Sequence, residues 1–501
     1  MDAMNTQQPA AYEQLRQHFQ KISHFEHFAA LGDWDQATMM PAGGSDSRAA
    51  AMAELAGHIH QLKTAPNLTD WLSEAEQQLS ALTLPQQANL REMKQQWRHA
   101  SCVPSSLIQA KTAAAYQCEH QWRQQRPAND WQGFKANLQP LLQLVKEEAQ
   151  ARADAEGVAP YDALLAQFEP GMTAARLEQT LGSLRDWIPT FIQQIHERQL
   201  PAVASNDAQR YPIARQQDLG KEVMHFLGFD FQQGRLDISA HPFCGGVPGD
   251  VRLTTRYDEQ SFLGALLGII HETGHARYEL GLPFAWQGQP AGLARSMGIH
   301  ESQSLFFEMQ LAGSQAFVDK IYPLLKRHLS CHQSAAELHQ QMTQVQPGLI
   351  RVDADEVTYP CHILLRFEAE QSLIDGSLAV SDLPEFWDQR MQHYLGLSTK
   401  DNYRDGCMQD IHWAVGEFGY FPSYTLGAMY AAQFRFAIEK QLGPLDTLIQ
   451  NDKLAKVFDW LQQHIWSQGS LLDTDTLVRQ ATGEPLNPQY LRRHLQQRYL
   501  R

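Results

Sequence analysis

The 501-residue sequence lacks a basic excess, paired cysteines and long apolar runs. Its 41 Lys and Arg are outnumbered by 56 Asp and Glu, which argues against nucleic-acid and anionic-membrane partners because both need clustered cations. None of the six cysteines forms a C-x-x-C pair, so we predict reduced thiols. The longest apolar stretch, Phe262 to Ile270, is too short to span a bilayer, so no membrane association is expected.

The sequence also has no low-complexity linker, no evident internal repeat and no apolar signal segment within Met1 to Glu13. We therefore expect a cytoplasmic protein in which residues 1–501 form one unit with two lobes. A loop at Pro201 to Asn206 is the predicted boundary. It would separate a mainly helical lobe over 1–200 from a lobe over 207–501.

Most of the chain has the composition and periodicity of helices. Strand-like alternation is clearest in Arg235 to Tyr257, around a predicted turn at Gly245 to Gly249. Its second part, Val251 to Tyr257, could offer an edge to which a peptide adds as a further strand, and the alternative is plain sheet structure. These patterns predict a mainly α fold with one small β-sheet. Apolar residues recur at three- and four-residue spacing in Tyr12 to Leu31, Asp46 to Leu62, Thr173 to Arg198 and Leu454 to Trp466.

A metal-binding motif follows the strand-like segment, in the run His271-Glu272-Thr273-Gly274-His275. Residues four apart on a helix share a face, so His271 and His275 can ligate one ion, and Glu272 can accept a proton from water there. Gly281, with a proline two residues later, predicts the end of this helix. Gly274 costs about 1 kcal/mol relative to Ala inside a helix, so we expect another backbone to approach it closely. The alternative is a helix with two solvent-facing histidines and no metal.

The third metal ligand is predicted 26 residues after His275, at Glu301. His300 is the rival ligand. Neighbouring residues on a helix point about 100° apart, so we expect only one of the two to reach the metal. Glu301 is preferred because two histidines and one glutamate suit a hydrolytic zinc site with an open position. The lobe over 207–501 would then carry the metal site, with one divalent ion per chain.

Several further motifs, in the same order and spacing, make the chain resemble the carboxypeptidase Taq family of metallocarboxypeptidases. The resemblance covers nearly the whole chain. The motifs that carry it are Trp34 to Gly44, Pro160 to Leu165, Glu169 to Met172, His241 to Phe243, Asp250 to Thr254, His300 to Gln303, Ile350 to Asp355 and Gly406 to Trp413.

The resemblance implies a large helical fold with a long cleft, similar to neurolysin and other cleft-bearing zinc peptidases, with the small sheet near the active site. It implies a peptide hydrolase that removes single residues from the free C-termini of peptides with broad specificity. It also implies a homodimer, and zinc or cobalt as the metal.

A carboxypeptidase must recognise a free carboxylate, and Arg suits this because its planar fork can bond both oxygens. Arg351 is the first candidate, since the family places this function in its motif, and Arg252 is the second. The alternative for each is a structural ion pair with a nearby aspartate, namely Asp353 or Asp355 for Arg351 and Asp250 for Arg252.

Further candidates for the cleft are aromatic and imidazole side chains. Tyr424, and next Tyr420, lie in a segment rich in Gly and Tyr that suits a loop presenting phenol hydroxyls to an oxyanion. Aromatic core packing is the alternative for both. His241 and His412 are expected to line the cleft, against the alternative of structural histidines.

Two other functions fit parts of the same pattern. An endopeptidase with the same kind of cleft would differ only in lacking a carboxylate-binding Arg. A helical binding protein with a chance metal motif would bind no stoichiometric metal.

Overall fold

The computed structural model describes residues 9–202 and 209–500, and over these ranges the chain is mainly helical with one small sheet. The predicted fold class is confirmed. The predicted boundary loop at 201–206 lies mostly outside the described residues, as does most of the polar N-terminal segment. The helices are α1 Ala10–Thr38, α2 Ser45–Lys63, α3 Asn67–Gln77, α4 Leu84–Ser101, α5 Ser105–Gln125, α6 Trp131–Glu156, α7 Pro160–Leu165, α8 Ala174–Arg185, α9 Ile188–His196, α10 Ile213–Phe226, α11 Leu263–Gly281, α12 Met297–Leu305, α13 Gln315–Leu329, α14 Ala335–Met342, α15 Tyr359–Asp375, α16 Leu383–Leu395, α17 Pro422–Leu442, α18 Leu445–Gln450, α19 Leu454–His464, α20 Thr474–Thr482 and α21 Gln489–Tyr499.

One predicted helix is interrupted in the structure. The stretch Thr173 to Arg198 forms two helices, α8 and α9, instead of one. Pro189 lies in the first turn of α9, where its missing N–H is tolerated. In a continuous helix its ring would clash with the carbonyl of Arg185, and α8 ends at that residue.

The sheet has three strands, β1 Gly234–Ile238, β2 Cys244–Val247 and β3 Asp250–Thr255, in the order β1-β3-β2. β2 and β3 form an antiparallel hairpin in which Val247 pairs with Asp250, while β1 runs parallel to β3. The predicted turn at 245–249 is therefore shorter, since part of the glycine stretch forms strand β2. The expectation that Val251 to Tyr257 offers a free edge is wrong, because β3 is paired on both sides.

The largest apolar core contains residues from Cys118 to Leu495, and a separate cluster joins α1, α3 and α4. The division into two lobes near residue 200 stays a prediction. A third cluster packs the sheet against the metal-motif helix through Val251, Leu253 and Ile269. The small sheet thus lies beside α11. No helix within the described ranges is long and apolar enough to cross a membrane.

Helix α12 lies closely packed between α11 and α17. A Cβ atom at Gly274 of α11 would lie 2.4 Å from the Gln303 carbonyl oxygen, so the expected close backbone approach is confirmed. A Cβ atom at Gly427 of α17 would lie 2.7 Å from Cγ of Glu301. Glycine at both positions therefore lets α12 present the Glu301 side chain towards α11.

Candidate active site

Two helices bring the three predicted metal donors together. His271 and His275 lie one turn apart on α11, and Glu301 projects from α12. The Nε2 atom of His271 is 3.9 Å from Glu301 Oε1, and that of His275 is 3.5 Å from Glu301 Oε2. The donor atoms of all three residues lie within 4.8 Å of one another. Two imidazoles and one carboxylate at this separation fit a divalent ion of the catalytic zinc type.

Hydrogen bonds fix the outer nitrogen of each imidazole. The Nδ1 atom of His271 is 2.7 Å from Glu308 Oε2, and the Nδ1 atom of His275 is 2.7 Å from Nδ1 of His300. Both Nε2 atoms are thereby left facing Glu301. The structure thus brings Glu301, and not His300, to the inner face of the two imidazoles.

The two imidazoles differ in their electrostatic surroundings. Burial alone would lower the pKa of His271, but the carboxylates of Glu301 and Glu308 outweigh it and raise this pKa to about 10. Burial, assisted by the neighbouring His300, lowers the pKa of His275 to about 4. The carboxylates of Glu301 and Glu308 thus favour positive charge at His271, the sign of charge that a divalent ion would supply there.

Glu272 lies on the same helix as the imidazoles and is 7% exposed. Burial raises the pKa of its carboxyl group to about 7, opposed by His271 and assisted by Glu301. Its side chain lines the same cavity as His271 and Glu301. The geometry therefore brings a carboxyl group to the donor cluster without making it one of the three donors.

Two of the donors, His271 and Glu301, line a cavity of about 370 Å³, which is also lined by Arg351, Tyr359 and Tyr424. Cavities of about 770 and 810 Å³ lie elsewhere, and none of the three metal donors lines either one. The chemistry of the lining, and not cavity size, identifies the candidate site.

Arg351 lies in this cavity wall with its guanidinium held from one side. Nε and Nη2 donate to the Asp410 carboxylate, Nη2 at 2.9 Å, and Nη1 donates to the Tyr359 hydroxyl at 2.6 Å. The side chains of Arg351 and Asp410 are each 8% exposed. The ion pair anticipated for Arg351 is present, but its partner is Asp410 and not Asp353 or Asp355.

Tyr424 lies in the first turn of α17 and lines the cavity, where burial raises its pKa to about 12. Tyr420 precedes this helix and packs edge-on against Tyr424, with ring centroids 5.2 Å apart. His412 stacks on Tyr420 and packs edge-on against Phe421. Burial, assisted by a neighbouring arginine, lowers the pKa of His412 to about 3, so it is neutral at physiological pH. Tyr420 thus packs against Tyr424 and His412 against Tyr420, and a substrate-binding role for Tyr420 or His412 stays a prediction.

The structure leaves two other candidates away from the cavity lining. Arg252 on β3 forms a bidentate ion pair with Asp250 and lies over the Trp34 ring, 4.3 Å from its centroid. His241 is exposed in the loop between β1 and β2, although its neighbour Pro242 lines the cavity. A substrate-binding role for Arg252 or His241 stays a prediction.

The sequence reasoning did not identify Glu308, Tyr359 or Asp410, all of which touch a candidate residue. Glu308 follows Glu301 by seven residues, a spacing that places both on one helical face, so periodicity could have indicated it. Asp410 lies 59 residues from Arg351, and no local spacing connects them.

Comparison with known proteins places these features in one family. The sequence model of the family described as carboxypeptidase Taq (M32) metallopeptidase matches residues 14–499. Thermostable carboxypeptidase 1 of Thermus thermophilus is 38% identical over 98% of both chains, and carboxypeptidase 1 of Bacillus subtilis is 33% identical over 96% of both. The solved structure of Trypanosoma cruzi metallocarboxypeptidase 1 superposes with a TM-score of 0.95 at 42% identity, covering 98% of this chain and 99% of that one.

Proposed function

Because the chain belongs to the carboxypeptidase Taq (M32) family and is a metallocarboxypeptidase that releases C-terminal residues, we propose specific roles for the residues of its cavity. His271, His275 and Glu301 hold the metal, which we propose is zinc, with cobalt as an alternative ion. The observation that carries this assignment is the convergence of their donor atoms within 4.8 Å.

A divalent ion bound by these residues supplies Lewis-acid chemistry, polarising a peptide carbonyl and lowering the pKa of water. Glu272 accepts a proton from the attacking water and returns it to the leaving amine. The Tyr424 hydroxyl donates a hydrogen bond to the carbonyl oxygen as negative charge develops there. These roles are supported by the shared cavity, in which the two side chains line the wall together with His271 and Glu301.

Arg351 binds the C-terminal carboxylate of the peptide. A guanidinium has five N–H donors, of which Asp410 takes the one on Nε and one on Nη2, and Tyr359 takes one on Nη1. One N–H on each Nη atom therefore has no acceptor among the residues described. N–H groups on both Nη atoms can donate to the two oxygens of a carboxylate. This geometry favours Arg351 over Arg252, whose guanidinium is paired with Asp250 outside the cavity lining.

The proposed ligands and base are tested by measuring bound metal and turnover in the same preparations. His275→Ala and Glu301→Ala should lose stoichiometric metal. Glu272→Gln should keep the metal and lose most turnover, since the ligands remain and the proton acceptor is removed. Glu148→Gln, at a buried helical carboxylate of α6, serves as the control and should keep both. Loss of metal in Glu272→Gln would show that this residue is a ligand and not the base.

Three broader features complete the proposal. The enzyme is a homodimer, as the family resemblance implies, and light scattering of the purified chain tests this directly. It is cytoplasmic, an assignment supported by six cysteines that all carry free thiols. It forms one catalytic unit with two lobes, and limited proteolysis near residue 200 tests that division.

A further inference from the structure

One metal-donor imidazole is connected to a carboxylate through a second imidazole. His275 faces Glu301 with its Nε2 atom, and its Nδ1 atom is 2.7 Å from Nδ1 of His300. On the other side of the His300 ring, Nε2 is 2.7 Å from Glu279 Oε1. The order of the contacts is therefore Glu301, His275, His300, Glu279.

The proton positions along this series of contacts are set if His275 binds the metal. If His275 binds the metal through Nε2, its remaining proton must lie on Nδ1. His300 must then accept that proton's hydrogen bond at Nδ1, so its own proton lies on Nε2. Glu279 is an acceptor in the position that this arrangement requires. Every donor in this series of hydrogen bonds then has an acceptor. With both rings neutral, no other placement of the protons leaves the His275 Nε2 lone pair free for a metal.

The chain of contacts also connects the two helices that carry the metal ligands. His275 and Glu279 lie one turn apart on α11, whereas His300 lies on α12 beside Glu301. The hydrogen bonds therefore leave α11, pass through α12 and return to α11. By contrast, His271 bonds directly to the Glu308 carboxylate.

From this geometry, we infer that His300 and Glu279 act as positioning residues that set the tautomer and ring orientation of His275 for metal binding. The inference rests on the proposed ligand set. His300, which the sequence offered as a rival ligand, would then contact the ligand His275 and not the metal. Such outer partners orient a ligating imidazole and increase its basicity.

His300 and Glu279 differ in their access to solvent. The His300 side chain is 17% exposed and that of Glu279 is 25% exposed. Glu279 also lines the cavity of about 810 Å³, away from the metal donors. When the Glu279 carboxylate is removed, water from this cavity can accept the hydrogen bond from His300 in its place. We therefore expect loss of His300 to weaken metal binding more than loss of Glu279.

The test is a competition between the zinc-loaded full-length protein and a chelator of known affinity. His300→Ala should weaken zinc binding about 10- to 100-fold, the range measured for comparable outer partners. Glu279→Ala should weaken it less, and Glu279→Gln least, because the amide oxygen can still accept the hydrogen bond from His300. The melting temperature of the metal-free protein should change little in the Glu279 variants, which separates positioning from loss of fold.

A matched control is His99→Ala, because His99 forms a histidine–carboxylate pair with Glu156 that touches none of the metal donors. Its zinc affinity should equal that of the unmodified protein. His275→Ala is the reference for loss of a ligand. The positioning role of His300 and Glu279 is refuted if His275→Ala loses zinc while His300→Ala and Glu279→Ala both bind zinc as tightly as the unmodified protein. If His275→Ala itself keeps zinc, the ligand set is wrong. Should His300→Ala not fold, the two Glu279 variants decide the question alone.

Discussion

Replacing Arg351 by Ala should abolish the enzyme's preference for free-acid peptides. The guanidinium offers two N–H groups that no described residue accepts, one on each Nη atom. Hydrogen bonds to a charged group contribute about 1.5–3 kcal/mol each. Two of them are worth about 3–6 kcal/mol, which corresponds to a loss in kcat/KM of about 10²- to 10⁴-fold.

The substitution also removes one partner of a buried ion pair, so its effect on stability has to be separated from its effect on binding. Breaking such a pair typically costs about 3–5 kcal/mol. Here the Asp410 carboxylate keeps a second cation, because Nη1 of Arg366 lies 3.7 Å from its Oδ2 atom. We therefore expect a smaller loss and a folded variant.

The assay compares a peptide with its C-terminally amidated form. Arg351→Ala should lower kcat/KM for the free acid and leave that for the amide unchanged, while Arg351→Lys, which keeps the charge without the fork, should be intermediate. Arg152→Ala is the matched control. It breaks a buried pair with Glu148, which keeps Lys111 as a second cation, and none of these three residues lines the cavity. An unchanged free-acid preference in Arg351→Ala would refute the assignment.

Three further changes test other parts of the structure. Tyr424→Phe should lower kcat more than it raises KM, because its hydroxyl acts on charge that develops in the transition state; equal binding and turnover would remove it from the site. Gly274→Ala should lower the free energy of unfolding by about 1–3 kcal/mol in a denaturant titration, since its Cβ would lie 2.4 Å from the Gln303 carbonyl oxygen. Glu356 is buried and paired with Arg498 and His494. Burial alone would raise the pKa of its carboxyl group, but these partners outweigh burial and lower this pKa to about 2 from 4.5. The group therefore stabilises the fold above pH 4.5, and that contribution is lost as the pH falls towards 2. Glu356→Gln should therefore flatten this part of the acid-unfolding curve, and an unchanged curve would contradict the linkage.

The sequence by itself determined the features that depend on short spacing. The helical repeat places His271 and His275 on one face, whatever surrounds them. The same reasoning placed the end of α11 at Gly281 and predicted close packing at Gly274, both of which the structure confirms. Local periodicity and backbone conformation are enough for such predictions because only neighbouring residues take part.

Spacing along the chain could not choose among partners that are brought together from distant segments. It left His300 and Glu301 as rival ligands, and only the packing of α12 between α11 and α17 turned Glu301 inward and His300 towards the outer nitrogen of His275. Tertiary packing likewise paired β3 on both sides, which excludes the edge considered for Val251 to Tyr257. A strand's pattern records which face is buried, but it does not record how many neighbours the strand has.

The cavity residues also separate what the sequence indicates from what tertiary packing decides. Arg351 was identified from its motif, but its partner Asp410 lies 59 residues away and replaced the two nearby aspartates that the sequence offered. Arg252 was the second guanidinium candidate in the sequence, and in the structure it pairs with Asp250 and lies over the Trp34 ring. The sequence motifs indicated the residue types at the site, whereas tertiary packing decided their orientation and pairing. Side-chain direction depends on which elements meet, and that is a property of the whole fold.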